Sequence, residues 1–183
     1  MPVRALLLVI ATLLLGACAS MHAAPADPAF ETPYVLDAGD KLRVVVFGQE
    51  GLSNSYAVDG AGKIAMPLIG AVEARGKTTS ELGQSIAARL RTGYVREPHV
   101  AVEVETYRPF FILGEVTAAG QYAYVNGMTV ETAVAIAGGF TPRAFKTHAK
   151  VGRVVEGQMV HSVVPMSYPL RPGDTVTVEE RWF

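Results

Sequence analysis

The side chains that could carry covalent or metal chemistry are few in this sequence and widely spaced. The 183 residues contain one cysteine, Cys18, and four histidines. No two histidines have the spacing with which a helix or a loop presents a pair of metal ligands. Nucleophile-elbow, Walker-type and dinucleotide-binding glycine motifs are also missing from the sequence. The sequence therefore predicts no catalytic residue, no metal site and no cofactor, and we expect that the protein is not an enzyme.

Glu103 and Glu105 form a carboxylate pair of the kind that glycoside hydrolysis uses. They alternate with valines in the segment Val100–Glu105, and this period of two is typical of a strand with one buried and one solvated face. The pattern favours a solvated strand face over an acid–base pair. Aromatic residues nearby could stack on sugar rings, but aromatics at strand positions are more often core or interface residues: Tyr107, Phe110, Phe111, Tyr122 and Tyr124.

Cys18 follows a short secretory signal. Arg4 precedes an apolar run from Ala5 to Leu15, which is too short for the roughly 20 residues of a spanning helix. The segment Leu15-Gly16-Ala17-Cys18 resembles the bacterial lipobox, in which the cysteine thiol receives diacylglycerol. The alternative is an ordinary signal peptide with an incidental cysteine, which would leave an exported protein with an unpaired thiol. We predict a signal peptide over residues 1–17, lipidation of Cys18, and a flexible tether over residues 18–33.

The charge balance argues against one class of partner. The chain has 16 basic and 17 acidic residues, for a net charge of −1, and it has no block of basic residues. Binding to nucleic acid depends on clustered positive charge. We therefore expect no nucleic-acid partner.

A nine-residue pattern occurs twice. Leu36–Val44 and Leu170–Val178 share the form L-x-x-G-D-x-(L/V)-x-V. Gly39 and Gly173 would allow a positive φ angle in a turn, and Asp40 and Asp174 would accept hydrogen bonds from the amides that follow them. We interpret the pair as a duplicated turn that leads into a strand, in preference to a paired functional site.

The first half of the mature chain has clear element signals. Val58–Ile64 predicts a hairpin with Gly60 in its turn, and Pro67 and Gly70 bracket another short extended piece. Thr78 and Glu81 have the spacing of a capping box, and apolar residues then recur every four positions until Gly93: Leu82, Ile86 and Leu90. This predicts a helix with one buried stripe.

The second half repeats this order of elements. A strand from Phe110 leads to Gly114, a turn at Gly120 follows, and Thr129 caps a short helix that ends at Gly138-Gly139. Residues 149–164 and 174–180 predict further strands. The predicted fold class is α+β, with two small β-rich domains that each contain a short helix, over residues 34–107 and 108–183.

These segments together resemble a known family. Tyr34–Val44, Val58–Ile64 and Pro67–Gly70 are similar to the polysaccharide-export domain of Wza-type outer-membrane lipoproteins. Residues 110–164, with Gly114-Glu115-Val116, Gly120-Gln121-Tyr122 and Gly138-Gly139, resemble the soluble-ligand-binding β-grasp (SLBB) domain that follows it in that family.

The resemblance implies a lipoprotein anchored in the outer membrane and facing the periplasm. Its relatives form rings, octameric in the best-known members, that export capsular polysaccharide or exopolysaccharide and dock with an inner-membrane polysaccharide co-polymerase, the chain-length regulator. The sequence finishes at Glu179–Phe183 without the amphipathic helix of the longest members. We therefore expect a short form that rests on lipid alone or works with a separate outer-membrane barrel. The alternative is a monomeric lipoprotein that binds a soluble ligand or cell-wall glycan.

Overall fold

The chain folds into ten strands and two α-helices over residues 33–155 and 157–182, which are the residues described by the computed structural model. The strands form three sheets of three, five and two strands within these residues. The α+β class, with two β-rich units that each contain one helix, is confirmed. The predicted signal peptide, Cys18 and the tether up to Thr32 lie outside the described residues.

The first unit is built around a central strand. Strand β1 (Lys41–Val46) pairs antiparallel with β2 (Asn54–Ala57) on one side and with β5 (Val100–Thr106) on the other. A 3-10 helix, Glu50–Leu52, joins β1 to β2. Every second residue of β1 is buried, because one face of the sheet is covered by helix α1 (Thr79–Arg91).

Helix α1 begins and faces the core as the sequence predicts. The Thr78 hydroxyl accepts from the amide of Glu81, and the Glu81 carboxylate accepts from the amide of Thr78. This capping box satisfies two amides that have no partner inside the helix. The predicted stripe is fully buried and consists of Leu82, Ile86 and Leu90. Its apolar side chains leave water as they pack on β5 and join the buried residues of β1 in one cluster, which stabilises the unit.

The predicted hairpin at Val58–Ile64 is wrong in its pairing. The turn itself closes, with the amide of Asp59 donating to the carbonyl of Lys63 at 2.9 Å. However, β3 (Lys63–Met66) pairs with β4 (Gly70–Glu73) in a separate sheet, whereas β2 pairs with β1. Pro67 and Gly70 therefore flank the turn of the β3–β4 hairpin and do not bracket an extended piece. Period-two patterning specifies a strand but not its partner, so the sequence did not distinguish the two pairings.

The second unit is a five-stranded sheet with one helix. Its strands are β6 (Phe110–Gly114), β7 (Gly120–Tyr122), β8 (His148–Val155), β9 (Gln158–Pro165) and β10 (Thr175–Val178). They lie in the order β7-β6-β10-β8-β9, with β6 and β10 parallel and every other pair antiparallel. Helix α2 (Val130–Ile136) begins at a capping box of Thr129 and Thr132. Gly120 is the first residue of β7 and pairs with Ile112, so the predicted turn at Gly120 is wrong.

Each unit has its own hydrophobic cluster. The buried members of the first lie between Leu36 and Leu90, and those of the second lie between Phe110 and Val178. No helix within the described part of the chain is both long enough and apolar enough to cross a bilayer.

Candidate functional site

The two copies of the repeated motif each place one carboxylate in the interior. Asp40 and Asp174 are the buried charged side chains of the described residues, with exposed fractions of 0% and 1%. Burying a charge is costly unless it is paired and hydrogen-bonded. We therefore expect each of these two carboxylates to be held by charged and hydrogen-bonding partners.

In the first copy, Asp40 accepts four hydrogen bonds. Its Oδ2 accepts from the Tyr34 hydroxyl at 2.6 Å, from the amide of Asp37 at 2.9 Å and from Arg108 Nη1 at 3.2 Å. Its Oδ1 accepts from the Arg108 amide at 3.0 Å. The Arg108 guanidinium also lies over the Tyr34 ring, 5.7 Å from its centroid.

The second copy uses the same types of residue. Asp174 Oδ2 accepts from the amide of Arg171 at 2.7 Å, and the carboxylate is held in a two-pronged contact by Arg153 through Nε at 2.9 Å and Nη2 at 2.7 Å. The Arg153 guanidinium lies 5.5 Å from the centroid of the Tyr168 ring. Each motif therefore contains a tyrosine six residues before the aspartate and recruits an arginine from elsewhere in the chain.

One predicted detail of these turns is wrong. The carboxylates of Asp40 and Asp174 accept from the amides three residues before them, at Asp37 and Arg171, and not from the amides that follow. The reason is a backbone hydrogen bond that closes each turn: the Asp40 amide donates to the Asp37 carbonyl at 3.2 Å, and the Asp174 amide donates to the Arg171 carbonyl at 3.1 Å. In the closed turn, the amide of Asp37 or Arg171 points toward the aspartate carboxylate.

The electrostatics of both copies favour a fixed protonation state. Burial raises the pKa of the Tyr34 hydroxyl, and donation to the Asp40 carboxylate raises it further. Burial alone would lower the pKa of Arg153, but its hydrogen bonds to Asp174 and the Asp174 charge outweigh that effect and raise it. Around neutral pH, Tyr34 therefore stays a hydrogen-bond donor and Arg153 stays charged.

Arg108 links the two motifs. A Cβ added to Gly173 would lie 2.8 Å from Arg108 Nε, and one added to Gly39 would lie 3.4 Å from Arg108 Cβ. Both glycines have positive φ angles, 93° at Gly39 and 87° at Gly173, which L side chains rarely adopt. The Gly173 amide also donates to the carbonyl of Pro109 at 3.0 Å.

Three tyrosines extend this contact. Tyr107 packs edge-on against Tyr34 at 5.0 Å between ring centroids, and against Tyr124 at 5.5 Å. We call the set of Tyr34, Asp40, Tyr107, Arg108, Tyr124 and Gly173 the junction cluster. Because its members come from both β-rich units, it fixes one unit against the other. The Asp40 carboxylate accepts four hydrogen bonds, so its position in this contact is closely determined.

The remaining predicted motif residues lie apart from the junction cluster. Gly60 lies in the turn before β3 and does not have a positive φ; the positive φ in that turn belongs to Gly62. Pro67 lies in the β3–β4 turn, and Gly70 opens β4. Gly114 ends β6 in close contact with β10, and Gly138-Gly139 follows the end of α2.

Sequence reasoning missed the residues that complete the two carboxylate sites. Arg108 lies 68 residues from Asp40 and Arg153 lies 21 residues from Asp174, so no local pattern connects them. A usable signal did exist for the tyrosines. Tyr34 and Tyr168 precede their aspartates by the same interval, which extends the repeat to Y-x-L-x-x-G-D.

The carboxylate pair on β5 lacks the features of an acid–base site. Glu103 and Glu105 lie on the exposed face of the strand, and Glu105 accepts from Lys41 Nζ at 3.3 Å. Hydrogen bonds to Ser55 and Lys41 lower the pKa of Glu105, whereas a general acid needs a raised pKa.

Among the aromatics considered for sugar stacking, Phe110 is buried and Tyr122 and Tyr124 pack against the second cluster. Within residues 33–155 and 157–182, no three histidines, cysteines or acidic residues converge as metal ligands would.

Comparison with known proteins identifies two domain types. The family model described as polysaccharide biosynthesis/export protein matches residues 28–105, and the SLBB domain model matches residues 109–163. The chain is 34% identical over 137 residues to the exopolysaccharide production protein ExoF of Rhizobium meliloti (strain 1021), an alignment that covers 68% of this chain and 32% of ExoF. It is 25% identical over 115 residues to two polysialic acid transport proteins KpsD of Escherichia coli, covering 62% of this chain and 21% of each relative. The alignments thus span about a third or less of these relatives.

Proposed function

We propose that this chain is one subunit of a ring-shaped channel that exports capsular polysaccharide or exopolysaccharide. The chain belongs to the polysaccharide export family, because it carries a polysaccharide biosynthesis/export domain followed by an SLBB domain. The observation that carries the proposal is the order of the two matched domains, together with similarity to relatives named for exopolysaccharide production and polysialic acid transport.

The junction cluster supports a mechanism based on shape. A subunit that lines a passage must hold its two domains at a fixed angle, since any hinge would change the bore from one subunit to the next. Arg108 meets this need, because its amide and guanidinium both donate to Asp40 while its side chain packs against Gly173. Both buried carboxylates are paired with an arginine, Asp40 with Arg108 and Asp174 with Arg153, which suits a structural role.

The membrane attachment in this proposal comes from Cys18. Acylation there would anchor the chain in the outer membrane with its folded domains in the periplasm, since two or more acyl chains anchor stably where one does not. The proposed partners are further copies of the chain, the exported polysaccharide, an inner-membrane polysaccharide co-polymerase and a separate outer-membrane barrel.

A clean deletion of the gene, complemented with variants, tests the proposal. We expect the deletion strain to lose surface polysaccharide while sugar-nucleotide pools persist, and the wild-type gene to restore export. A gene with Glu103→Gln and Glu105→Gln together should restore export equally well, because these exposed carboxylates have no role in the mechanism. Normal surface polysaccharide in the deletion strain, with no second copy of the gene present, would refute the proposal. A deletion strain that keeps its surface polysaccharide but loses binding of a soluble ligand or cell-wall glycan would instead favour the monomeric binding module.

A further inference from the structure

The five-stranded sheet of the second unit ends in a long edge strand that carries no charge and has its one proline, Pro165, at the last position. Strand β9 (Gln158–Pro165) has no lysine, arginine, aspartate or glutamate, and seven of its eight residues are exposed. It pairs with β8 on one side, and none of the described residues pairs with its other side. Proteins normally protect such an edge with charge, a short strand or a covering element, because its unpaired amides and carbonyls invite pairing with another chain. The β5 edge of the three-stranded sheet has this protection in Glu103 and Glu105.

The opposite edge of the same sheet is also uncharged. Strand β7 covers only Gly120–Tyr122, but the chain from Ala118 to Met128 contains no charged residue. Just beyond β7, Val125 exposes most of its side chain. On β9 the apolar side chains of Met159, Val160 and Val163 are likewise exposed. The outer side of β9 thus combines unpaired backbone with apolar surface, and the β7 edge is uncharged, with apolar Val125 just beyond it.

The strand directions of the two edges suit each other. Strands β6, β10 and β9 run one way, and β7 and β8 run the other way. When two copies stand side by side in the same orientation, β9 of one copy lies antiparallel to β7 of the next. Every pair in this sheet other than β6–β10 is already antiparallel, and such pairing is slightly more stable per residue than parallel pairing. The contact is heterologous, so it can repeat from copy to copy and close into a ring.

We propose that β9 of one copy docks against the β7 edge of the next copy, which continues the five-stranded sheet from subunit to subunit. The partner that we infer for β9 is therefore a second copy of this chain. Neither edge carries charges that would repel the other, and the directions of β9 and β7 allow an antiparallel ladder between copies. The inference rests on the proposed ring and names the surface through which the ring assembles.

A charge placed on the β9 edge tests the docking. Val163 is 64% exposed, so Val163→Lys leaves the core intact but inserts an ammonium group at the proposed contact. Ile136→Lys is the matched control, because Ile136 is 48% exposed on helix α2 of the same unit and lies off both edges. Native mass spectrometry of the full-length protein in detergent should show the same multi-subunit species for wild type and Ile136→Lys. For Val163→Lys we expect association weakened by about tenfold or more. An unchanged mass distribution for Val163→Lys would overturn the docking.

Cross-linking keeps the test decisive if Val163→Lys folds poorly. Gln121 on β7 and His161 on β9 are exposed residues on the two proposed edges. The double variant Gln121→Cys and His161→Cys should form a ladder of covalent multimers on oxidation, whereas each single variant should not. A strong dimer from His161→Cys alone would indicate two-fold pairing of β9 with itself and would overturn the proposal.

Export must be measured in the same strains. If Val163→Lys assembles like wild type and restores export, the docking proposal fails and the export function stands. If the protein assembles through β9 but its deletion leaves surface polysaccharide unchanged, the export function fails and the docking proposal stands.

Discussion

Neutralising Asp40 is the sharpest test of the junction cluster. Asn has nearly the shape of Asp but replaces one acceptor oxygen with an NH2 donor. Asp40 Oδ2 receives three donors and Oδ1 receives one, so in the Asp40→Asn variant every orientation of the new amide sets a donor against a donor. The neutral amide also leaves the Arg108 guanidinium without its carboxylate partner.

The magnitude follows from these contacts. A hydrogen bond to a buried charged group contributes about 1.5–3 kcal/mol, and removing one partner of a buried ion pair costs about 3–5 kcal/mol. The Arg108 side chain is 22% exposed, so water offsets part of that loss. We therefore expect Asp40→Asn to lower the free energy of unfolding by about 2–3 kcal/mol. Asp37→Asn is the control, because the side chain of Asp37 is 41% exposed and its ion pair with Arg75 contributes only about 0–1 kcal/mol.

Urea unfolding followed by circular dichroism provides the assay, with the free energy of unfolding extrapolated linearly to water. Wild type, Asp40→Asn and Asp37→Asn are compared at the same pH and protein concentration. If Asp40→Asn falls within about 0.5 kcal/mol of wild type, as an ordinary surface substitution does, the reasoning about the buried carboxylate is refuted.

Three further predictions concern other parts of the chain. Gly114→Ala should destabilise the protein by about 2 kcal/mol more than Gly139→Ala in thermal unfolding. Both glycines have positive φ, but only a Cβ at Gly114 would overlap a backbone atom, the Val178 oxygen, and equal costs would contradict this. Because the pKa of Tyr34 is raised on folding, the unfolded chain loses this proton first, so stability should fall as pH rises above about 10, by up to ~1.4 kcal/mol per pH unit. Tyr34→Phe should show a shallower decline in the same titration, and identical slopes would argue against the raised pKa. Cys18→Ser should move the protein from the membrane fraction to the soluble fraction on cell fractionation without loss of folded protein, whereas retention at the membrane would exclude lipid as the anchor.

Local patterns predicted the helices and most strands of this fold well. The capping boxes at Thr78 and Thr129 and the buried stripe of α1 depend on residues three or four positions apart, where sequence spacing translates directly into contact. The repeated motif likewise predicted the turns at Gly39 and Gly173.

Contacts between distant segments were not accessible in the same way. Strand β3 pairs with β4 although the turn at Asp59 joins it to β2, so a local turn signal does not specify the pairing. Arg108 and Arg153 contact the buried carboxylates only because the fold brings distant parts of the chain together. The residues next to each arginine in the sequence do not indicate that contact. The order of the two domains still allowed the family to be recognised, because each short motif keeps its place along the chain.

Assembly of several copies of this chain around a passage is the central claim. Single-particle electron microscopy of the full-length protein, extracted from membranes in detergent, tests it directly. We predict rings of one subunit number with an open centre. Particles of monomer size alone, at a concentration well above that in the cell envelope, would contradict it.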